Sequence, residues 1–167
     1  MYVKIVKKGG IFMDLSIKLE DYKLNIRAAG IIIHNNKILL HKNKNDDYYA
    51  LLGGRVALGE SSKETIKREI VEELGKEVQV LKYISTIENF FKIENTKYHE
   101  IMFVYHVEFV DEEYKLIETT LNNIEGNDDI KYEWIDLNEI NNCKLLPNVI
   151  KEVLKNNIYP VHVIQTE

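Results

Sequence analysis

The sequence is poor in several residue types that would each point to a particular class of protein. It has one cysteine, Cys143, and two prolines in 167 residues. A single cysteine excludes an intrachain disulfide, so we expect a reducing, cytoplasmic environment with Cys143 as a small core residue. No apolar run approaches the roughly 20 residues that span a membrane, and the N-terminus lacks the apolar segment of a signal peptide.

Positive charge is scarcer than negative charge. The chain has 22 lysines and arginines against 27 aspartates and glutamates, which gives a formal net charge of −5. This balance argues against a general electrostatic attraction to nucleic acid, so a nucleotide would have to be bound locally. The length and the apolar fraction of 45% predict a single globular domain over residues 1–167.

The apolar patterns predict a mixed α/β (α+β) fold with a central, mixed β-sheet. Weak strands on either side of Gly9-Gly10 predict an N-terminal strand or hairpin extension over residues 1–24. Residues 24–42 predict a hairpin that turns at Asn35-Asn36. Further strands are expected at 77–88, 98–110 and 131–135, with a connector at 88–97 and helices at 137–141 and 148–156. Residues 161–164 are expected to form either a final strand or a docked tail.

The most distinctive stretch is residues 53–76, GGRVALGESSKETIKREIVEELGK. Ser61 and Glu64 have the spacing of a capping box, which marks a helix start. Gly75 is typical of the position just after a helix end. We therefore expect a helix from about residue 62 to residue 74, with an apolar stripe facing the core.

Three glutamates of this helix, Glu69, Glu72 and Glu73, are spaced i, i+3 and i+4 and fall on one side of it. Like charges at these spacings destabilise a helix by a few tenths of a kcal/mol per pair. A bound divalent cation would offset the repulsion. The alternative is a solvated acidic face in which Arg68 pairs with Glu64 or Glu72, although Glu69 has no basic residue three or four positions away.

The stretch resembles the signature of the Nudix hydrolases, the MutT-like family. The matching positions, between residues 54 and 76, are Gly54, Glu60, Arg68, Glu69, Ile70, Glu72, Glu73 and Gly75. Two positions depart from the usual pattern: Lys76 replaces an aliphatic residue, and Leu52 stands where a proline often precedes the two glycines. We interpret Gly54, Gly59 and Gly75 as turn residues.

The resemblance implies a hydrolase that cleaves a nucleoside diphosphate linked to another group, such as a nucleoside triphosphate or ADP-ribose, by attack of water on phosphorus. It implies the Nudix fold, in which a mixed β-sheet lies between helices. It also implies Mg²⁺ as cofactor, with Mn²⁺ as a substitute. The implied metal ligands are Glu69, Glu72, Glu73 and the carbonyl oxygen of Gly53. Arg68 is expected to orient these glutamates, and Glu60 to pair with Arg68 or to contact the metal from outside. The expected partner is a small nucleotide-type diphosphate, not a membrane or an extended nucleic acid.

The general base and the substrate contacts are less closely defined. Glu69 is the first choice of base, and the alternatives are Glu100, Glu125, Asp128 and Asp129. Arg27 and Arg55 are suited to contact phosphates, since a guanidinium binds them through two hydrogen bonds. The aromatic candidates for stacking on a base are Tyr48, Phe90 and Phe91, although core packing is the default for aromatic residues.

Two other functions are consistent with the same fold. One is a non-catalytic sensor that binds a nucleotide or ADP-ribose, although such proteins often lose the glutamates that this chain keeps. The other is a diphosphate isomerase, which needs an active-site cysteine, and Cys143 is poorly placed for that role. A homodimer could form through the first 24 residues, in which Met13 is an alternative start to Met1.

Overall fold

The computed structural model describes residues 3–6, 10–111, 121–122, 129–155 and 159–166. The elements in this part of the chain are β1 (Val3–Val6), β2 (Gly10–Met13), β3 (Ser16–Leu19), β4 (Tyr22–Ile31), β5 (Ile33–His34), β6 (Lys37–Asn43), β7 (Leu52–Arg55), α1 (Ser62–Leu74), β8 (Val78–Ile93), β9 (Thr96–Phe109), β10 (Leu121–Asn122), β11 (Ile130–Asp136), α2 (Ile150–Lys155) and β12 (Val161–Thr166). Neither of these helices is long and apolar enough to cross a membrane.

The larger sheet has the strand order β12-β8-β9-β4-β3, and the second half of β4 pairs with β7 instead of β3. The pairs β4–β9 and β12–β8 are parallel, whereas β8–β9, β3–β4 and β4–β7 are antiparallel. A second sheet has the order β10-β11-β6-β5, and β1 pairs with β2. The larger sheet is therefore mixed, as the sequence predicts.

Each face of the larger sheet packs against one helix. On the α1 face, Ile66, Ile70 and Leu74 of α1 are buried in a cluster that includes Ala28 and Leu52 of the sheet. On the opposite face, called the α2 face, the α2 side chains join a second cluster with strand residues; its members from α2, β8 and β9 include Ile150, Val153, Ile87, Met102 and Val104. This arrangement confirms the expected sheet between helices.

Local signals placed two elements correctly. The helix α1 begins after Ser61, whose side chain and that of Glu64 form the reciprocal capping box, and it ends at Gly75, which has φ = 68°. The β4–β6 hairpin turns at Asn35 and Asn36, whose φ values of 47° and 61° are those of a tight hairpin turn. These predictions are confirmed.

The predicted connector at residues 88–97 is wrong. The strand β8 continues to Ile93 and β9 begins at Thr96, so the connection is a tight turn. Aromatic pairs across the two strands stabilise this part of the hairpin. The ring of Phe90 stacks on His99 at 4.3 Å and that of Phe91 on Tyr98 at 4.7 Å.

The predicted helix at residues 137–141 is also wrong, since the segment forms successive turns. Its backbone N–H groups donate to carbonyls three residues earlier, as in Glu139 to Asp136 and Asn142 to Glu139. An α-helix needs donation to the fourth residue before. The last helix is shorter than predicted, because α2 begins only at Ile150.

Candidate active site

A single guanidinium joins three of the acidic side chains of the 53–76 stretch. Nε and Nη2 of Arg68 donate to the two oxygens of Glu60, at 2.8 and 2.9 Å. Nη1 donates to Oε1 of Glu69 at 2.7 Å and to Oε2 of Glu72 at 3.0 Å. Nη2 also donates to the carbonyl of Arg55 at 3.3 Å, which attaches α1 to the end of β7. Arg68 therefore lies among three carboxylates in the geometry that an orienting role requires.

Glu60 is held from both sides. Besides Arg68, its Oε2 accepts hydrogen bonds from the hydroxyl of Thr65 at 2.8 Å and from the backbone N–H of Ala57 at 3.3 Å. Burial alone would raise the pKa of Glu60, but the hydrogen bonds from Arg68 and Thr65 outweigh it, and the pKa lies below its ordinary value. Burial would likewise lower the pKa of Arg68, yet Glu60 and Glu69 raise it. Both groups therefore stay ionised.

Gly54 makes room for the carboxylate of Glu69. A Cβ at position 54 would lie 2.1 Å from Cδ of Glu69 and 2.3 Å from each of its carboxylate oxygens. Gly54 lies inside β7, paired with Ala28, so its interpretation as a turn residue is wrong. The signature glycine is needed because the carboxylate approaches the backbone of the strand closely.

Any residue other than glycine would be strained at position 53. Its φ is +139°, and a Cβ there would lie 2.1 Å from the carbonyl oxygen of Ala28. Its own carbonyl oxygen accepts a hydrogen bond from Nη2 of Arg27 at 3.2 Å. The predicted metal-binding carbonyl thus lies against one of the two predicted phosphate-binding arginines.

Arg27 and Arg55 are directly opposite each other in the β4–β7 pair, on the α2 face. Nη1 of Arg27 is 3.8 Å from Oε2 of Glu100, and Nη1 of Arg55 is 3.1 Å from Oδ2 of Asp14. Their side chains remain 27% and 40% exposed. The glutamates of α1 and the two arginines therefore approach β7 from opposite faces of the sheet.

The later acids that were considered as general bases differ in position. Glu100 is 4% exposed and lies beside Arg27, whereas Asp129 is exposed next to β11. Glu125 and Asp128 lie outside the described residues. Among the later candidate bases within the described residues, Glu100 is therefore the one that lies near Arg27 and Arg55.

The aromatic residues that were predicted to stack on a base lie in different parts of the structure. Tyr48 is half-buried, and burial, followed by the charge of Asp46, raises the pKa of its hydroxyl. Phe90 stacks on His99 on the α1 face, whereas Phe91 and Tyr98 lie on the α2 face with the arginines.

Asp14 and Asn89 lie near the arginine pair and were not predicted as site residues from the sequence. Asp14 belongs to the N-terminal extension, and its segment pairs with the loop before α1: it forms a bridge with Ala57, and the N–H of Leu15 donates to the carbonyl of Val56 at 2.8 Å. No motif marks this segment. Asn89 faces inward from β8 between apolar positions, and a polar residue at such a position was the available signal.

Comparison with known proteins identifies this arrangement. The family model described as the NUDIX domain matches residues 24–156. The chain belongs to the Nudix hydrolase family. An ADP-ribose pyrophosphatase of Methanocaldococcus jannaschii is 32% identical in an alignment of 144 residues that covers 82% of this chain and 74% of that protein.

Solved Nudix structures show the same fold. A NUDIX hydrolase from Nitrosomonas europaea matches with a TM-score of 0.61 at 16% identity, over 96% of this chain and 85% of that chain. A UDP-X diphosphatase matches with a TM-score of 0.59 at 20% identity, over 83% of this chain, which spans 66% of that chain. The match to the NUDIX family model begins at residue 24, so Asp14 and the residues before it lie outside the part of the chain that defines the family.

The donor chemistry of this Nudix site fits a hard divalent cation. Glu69 and Glu73 are 6% and 7% exposed, and the three carboxylates of Glu60, Glu69 and Glu72 share the one guanidinium of Arg68. Oxygen ligands and excess negative charge are what Mg²⁺ requires. No three acidic, histidine or cysteine side chains within the described ranges are arranged to enclose an ion as they stand.

Proposed function

We propose that this Nudix hydrolase is a Mg²⁺-dependent pyrophosphohydrolase that cleaves a nucleoside diphosphate linked to another group. The observation that carries the proposal is the placement of two opposite charge clusters at one short strand. The carboxylates around Arg68 approach β7 from the α1 face, and Arg27 and Arg55 approach it from the other face. This arrangement suits a bridging diphosphate, which needs cations for its oxygens and an activated water for its phosphorus.

Glu69, Glu72 and Glu73 would hold the metal, with the carbonyl of Gly53 as a further ligand. When bound, Mg²⁺ would neutralise phosphate oxygens and lower the pKa of a water molecule. Arg68 fixes the orientation of the carboxylates through its hydrogen bonds to Glu69 and Glu72. Two of the proposed ligands are thus held by one guanidinium before any ion binds.

Glu69 is the proposed general base. Its carboxylate lies directly over Gly54, next to Gly53, and is held in place by Arg68. Glu100 lies on the opposite face of the sheet, beside Arg27. We therefore assign proton abstraction to Glu69.

The arginine pair supports phosphate binding on physical grounds. Like charges directly opposite each other in an antiparallel pair are destabilising. Glu100 and Asp14 offset part of this cost, yet both guanidiniums remain partly exposed. A phosphate group between them would satisfy both, since guanidinium forms two parallel hydrogen bonds with such an anion.

ADP-ribose is the first substrate to test, because the archaeal relative is an ADP-ribose pyrophosphatase. A cytoplasmic location and a homodimer remain predictions. A non-catalytic sensor is less well supported, since the chain keeps all the glutamates of the signature.

The test is a panel of ADP-ribose, NADH, dinucleoside polyphosphates, nucleoside triphosphates and 5′-triphosphate RNA, each with and without Mg²⁺ or Mn²⁺. We expect metal-dependent turnover of at least one compound, with product analysis locating the cleaved bond. Glu72→Gln and Glu73→Gln should lower the rate by orders of magnitude while the fold persists. Glu152→Gln, a glutamate on α2 away from the site, is the matched control. No metal-dependent turnover on any compound, or normal rates in both variants, would contradict the proposal.

A further inference from the structure

A buried hydroxyl group lies beside the cluster of carboxylates on α1. Thr65 is in the first half of this helix and is 0% exposed. Residue 65 is not one of the signature positions of the Nudix family, so the signature does not account for this hydroxyl. Since a buried hydroxyl needs a hydrogen-bond partner, the identity of that partner indicates what the residue does.

The hydroxyl of Thr65 has two acceptors within reach. Its Oγ1 is 2.8 Å from Oε2 of Glu60 and 3.1 Å from the carbonyl oxygen of Ser61. A hydroxyl has only one hydrogen to donate. The carbonyl of Ser61 already accepts the backbone N–H of Thr65 at 2.9 Å, and a hydrogen bond to an ionised carboxylate is the stronger kind. The hydroxyl of Thr65 therefore donates to Glu60.

Thr65 and Arg68 hold the same oxygen of Glu60. They are three residues apart, which places them on the same side of the helix. Nη2 of Arg68 donates to Oε2 of Glu60 at 2.9 Å, and the backbone N–H of Ala57 donates to it at 3.3 Å. Among the described residues, the closest donor to this oxygen is therefore the hydroxyl of Thr65.

The position of Glu60 determines how the guanidinium of Arg68 is turned. The group is planar and rigid, so a movement of the edge that faces Glu60 also moves Nη1. Nη1 is the atom that donates to Glu69 at 2.7 Å and to Glu72 at 3.0 Å. A shift of the Glu60 carboxylate is thus passed through one rigid group to two of the proposed metal ligands.

We propose that Thr65 is a positioning residue of this site. Its hydroxyl fixes the carboxylate of Glu60, and Glu60 fixes the guanidinium of Arg68. The guanidinium in turn orients Glu69 and Glu72. The inference rests on the proposed function only for the metal that these two glutamates would bind. The alternative is that Thr65 merely fills space between α1 and the sheet, a role that its methyl group would fulfil without the hydroxyl.

The test separates the hydroxyl from the methyl group of Thr65 in the metal-free chain. The rate at which the Nε–H of Arg68 exchanges with solvent, measured by NMR, reports how firmly this group is bound to Glu60. Thr65→Val keeps the shape of the side chain and should raise the exchange rate by about three- to tenfold, the value of one net hydrogen bond. Thr65→Ser keeps the hydroxyl and should exchange at nearly the wild-type rate. Loss of its buried methyl group should nevertheless lower the thermal unfolding midpoint.

A control and a second readout accompany this measurement. Ser62→Ala removes a hydroxyl from the same end of α1, where it is hydrogen-bonded to the hydroxyl of Tyr105 at 2.6 Å. This variant should leave the exchange rate of Arg68 unchanged. Calorimetric titration with Mg²⁺ should show that Thr65→Val binds the ion about three- to tenfold more weakly than the wild type, and that Thr65→Ser binds it nearly as tightly.

Three kinds of result would overturn the inference. An unchanged exchange rate in Thr65→Val would show that the hydroxyl does not hold Glu60 and Arg68 in place. An equal increase in Thr65→Ser or in Ser62→Ala would indicate a general loosening of the helix. Wild-type Mg²⁺ affinity in Thr65→Val would separate Thr65 from the metal site. A wild type without metal-dependent turnover would contradict the proposed function, whereas the exchange rates in the metal-free chain would still decide this inference.

Discussion

The two faces of the sheet at β7 are built in different ways. On the α1 face, the carboxylates and Arg68 come from a continuous stretch, residues 53–76, and are joined by short hydrogen bonds of 2.7–3.0 Å. On the α2 face, Arg27 and Glu100 come from different strands, and their charged groups are 3.8 Å apart. A local, densely bonded cluster suits a reaction common to a family, whereas a dispersed surface can change with the substrate.

Gly54→Ala should break the α1-face cluster with the largest effect on activity. The added methyl group would lie 2.1 Å from Cδ of Glu69, so this flexible carboxylate must move. A displacement of about 1 Å at a reacting group can cost about a hundredfold in rate. The measurement is kcat together with the thermal unfolding midpoint.

Gly59→Ala is the matched control for this prediction. Position 59 has φ = +83° but no atom within 4 Å of an added Cβ. The substitution should cost about 1–2 kcal/mol of stability through backbone strain, with kcat nearly unchanged. Equal losses of kcat in the two variants would show that contact with Glu69 is not the cause.

Arg68→Lys should weaken the cluster by a smaller factor. An ammonium group cannot reproduce the forked hydrogen bonds to Glu60, Glu69 and Glu72. Loss of such an orienting group lowers metal affinity or activity by about 10- to 100-fold. The measurement is the Mg²⁺ concentration for half-maximal activity, and a wild-type value would contradict the orienting role.

The sequence predicts the α1 face far better than the α2 face, for physical reasons. The capping box, the helix and the glutamate spacing depend on residues within one helix, so local rules place them. By contrast, Glu100 reaches Asn25 only through the parallel pairing of β4 with β9, which no local pattern specifies. The role of Gly54 was also missed, because the approach of the Glu69 carboxylate is a tertiary contact. The turn at residues 94–95 was missed because cross-strand aromatic pairing extends β8 and β9 beyond their apolar alternation.

A histidine of β6 in the second sheet, His41, should make stability depend on pH. Burial, and then the positive charge of Arg27, lower the pKa of His41 from 6.5 to about 4. Between these values the unfolded chain binds a proton that the folded chain does not, so the free energy of unfolding falls as the pH drops from about 6.5 to about 4. The loss should be about 2–3 kcal/mol. Urea unfolding of the wild type and of His41→Gln at several pH values tests this, and an equal slope in both would contradict it.

Asp14→Asn should have the smallest effect. It removes the ion pair that orients Arg55 and leaves the side-chain shape unchanged. We expect KM to rise by about three- to tenfold with kcat nearly unchanged, since one hydrogen bond to Arg55, the proposed phosphate-binding residue, is lost. Asp21→Asn removes the exposed ion pair with Lys97 and is the control, for which wild-type kinetics are expected. A change in kcat without a change in KM would indicate that Asp14 contributes to the reaction at the α1 face and not to substrate binding at the α2 face.

The α1 face is proposed to carry the reaction and the α2 face to bind the substrate. Steady-state kinetics of Glu72→Gln and Arg55→Lys, measured on the same substrate at saturating Mg²⁺, test this proposal most directly. The account predicts that Glu72→Gln lowers kcat by orders of magnitude with KM nearly unchanged. It predicts that Arg55→Lys raises KM with kcat nearly unchanged. A fall in kcat of similar size in both variants, or no change in either, would contradict it.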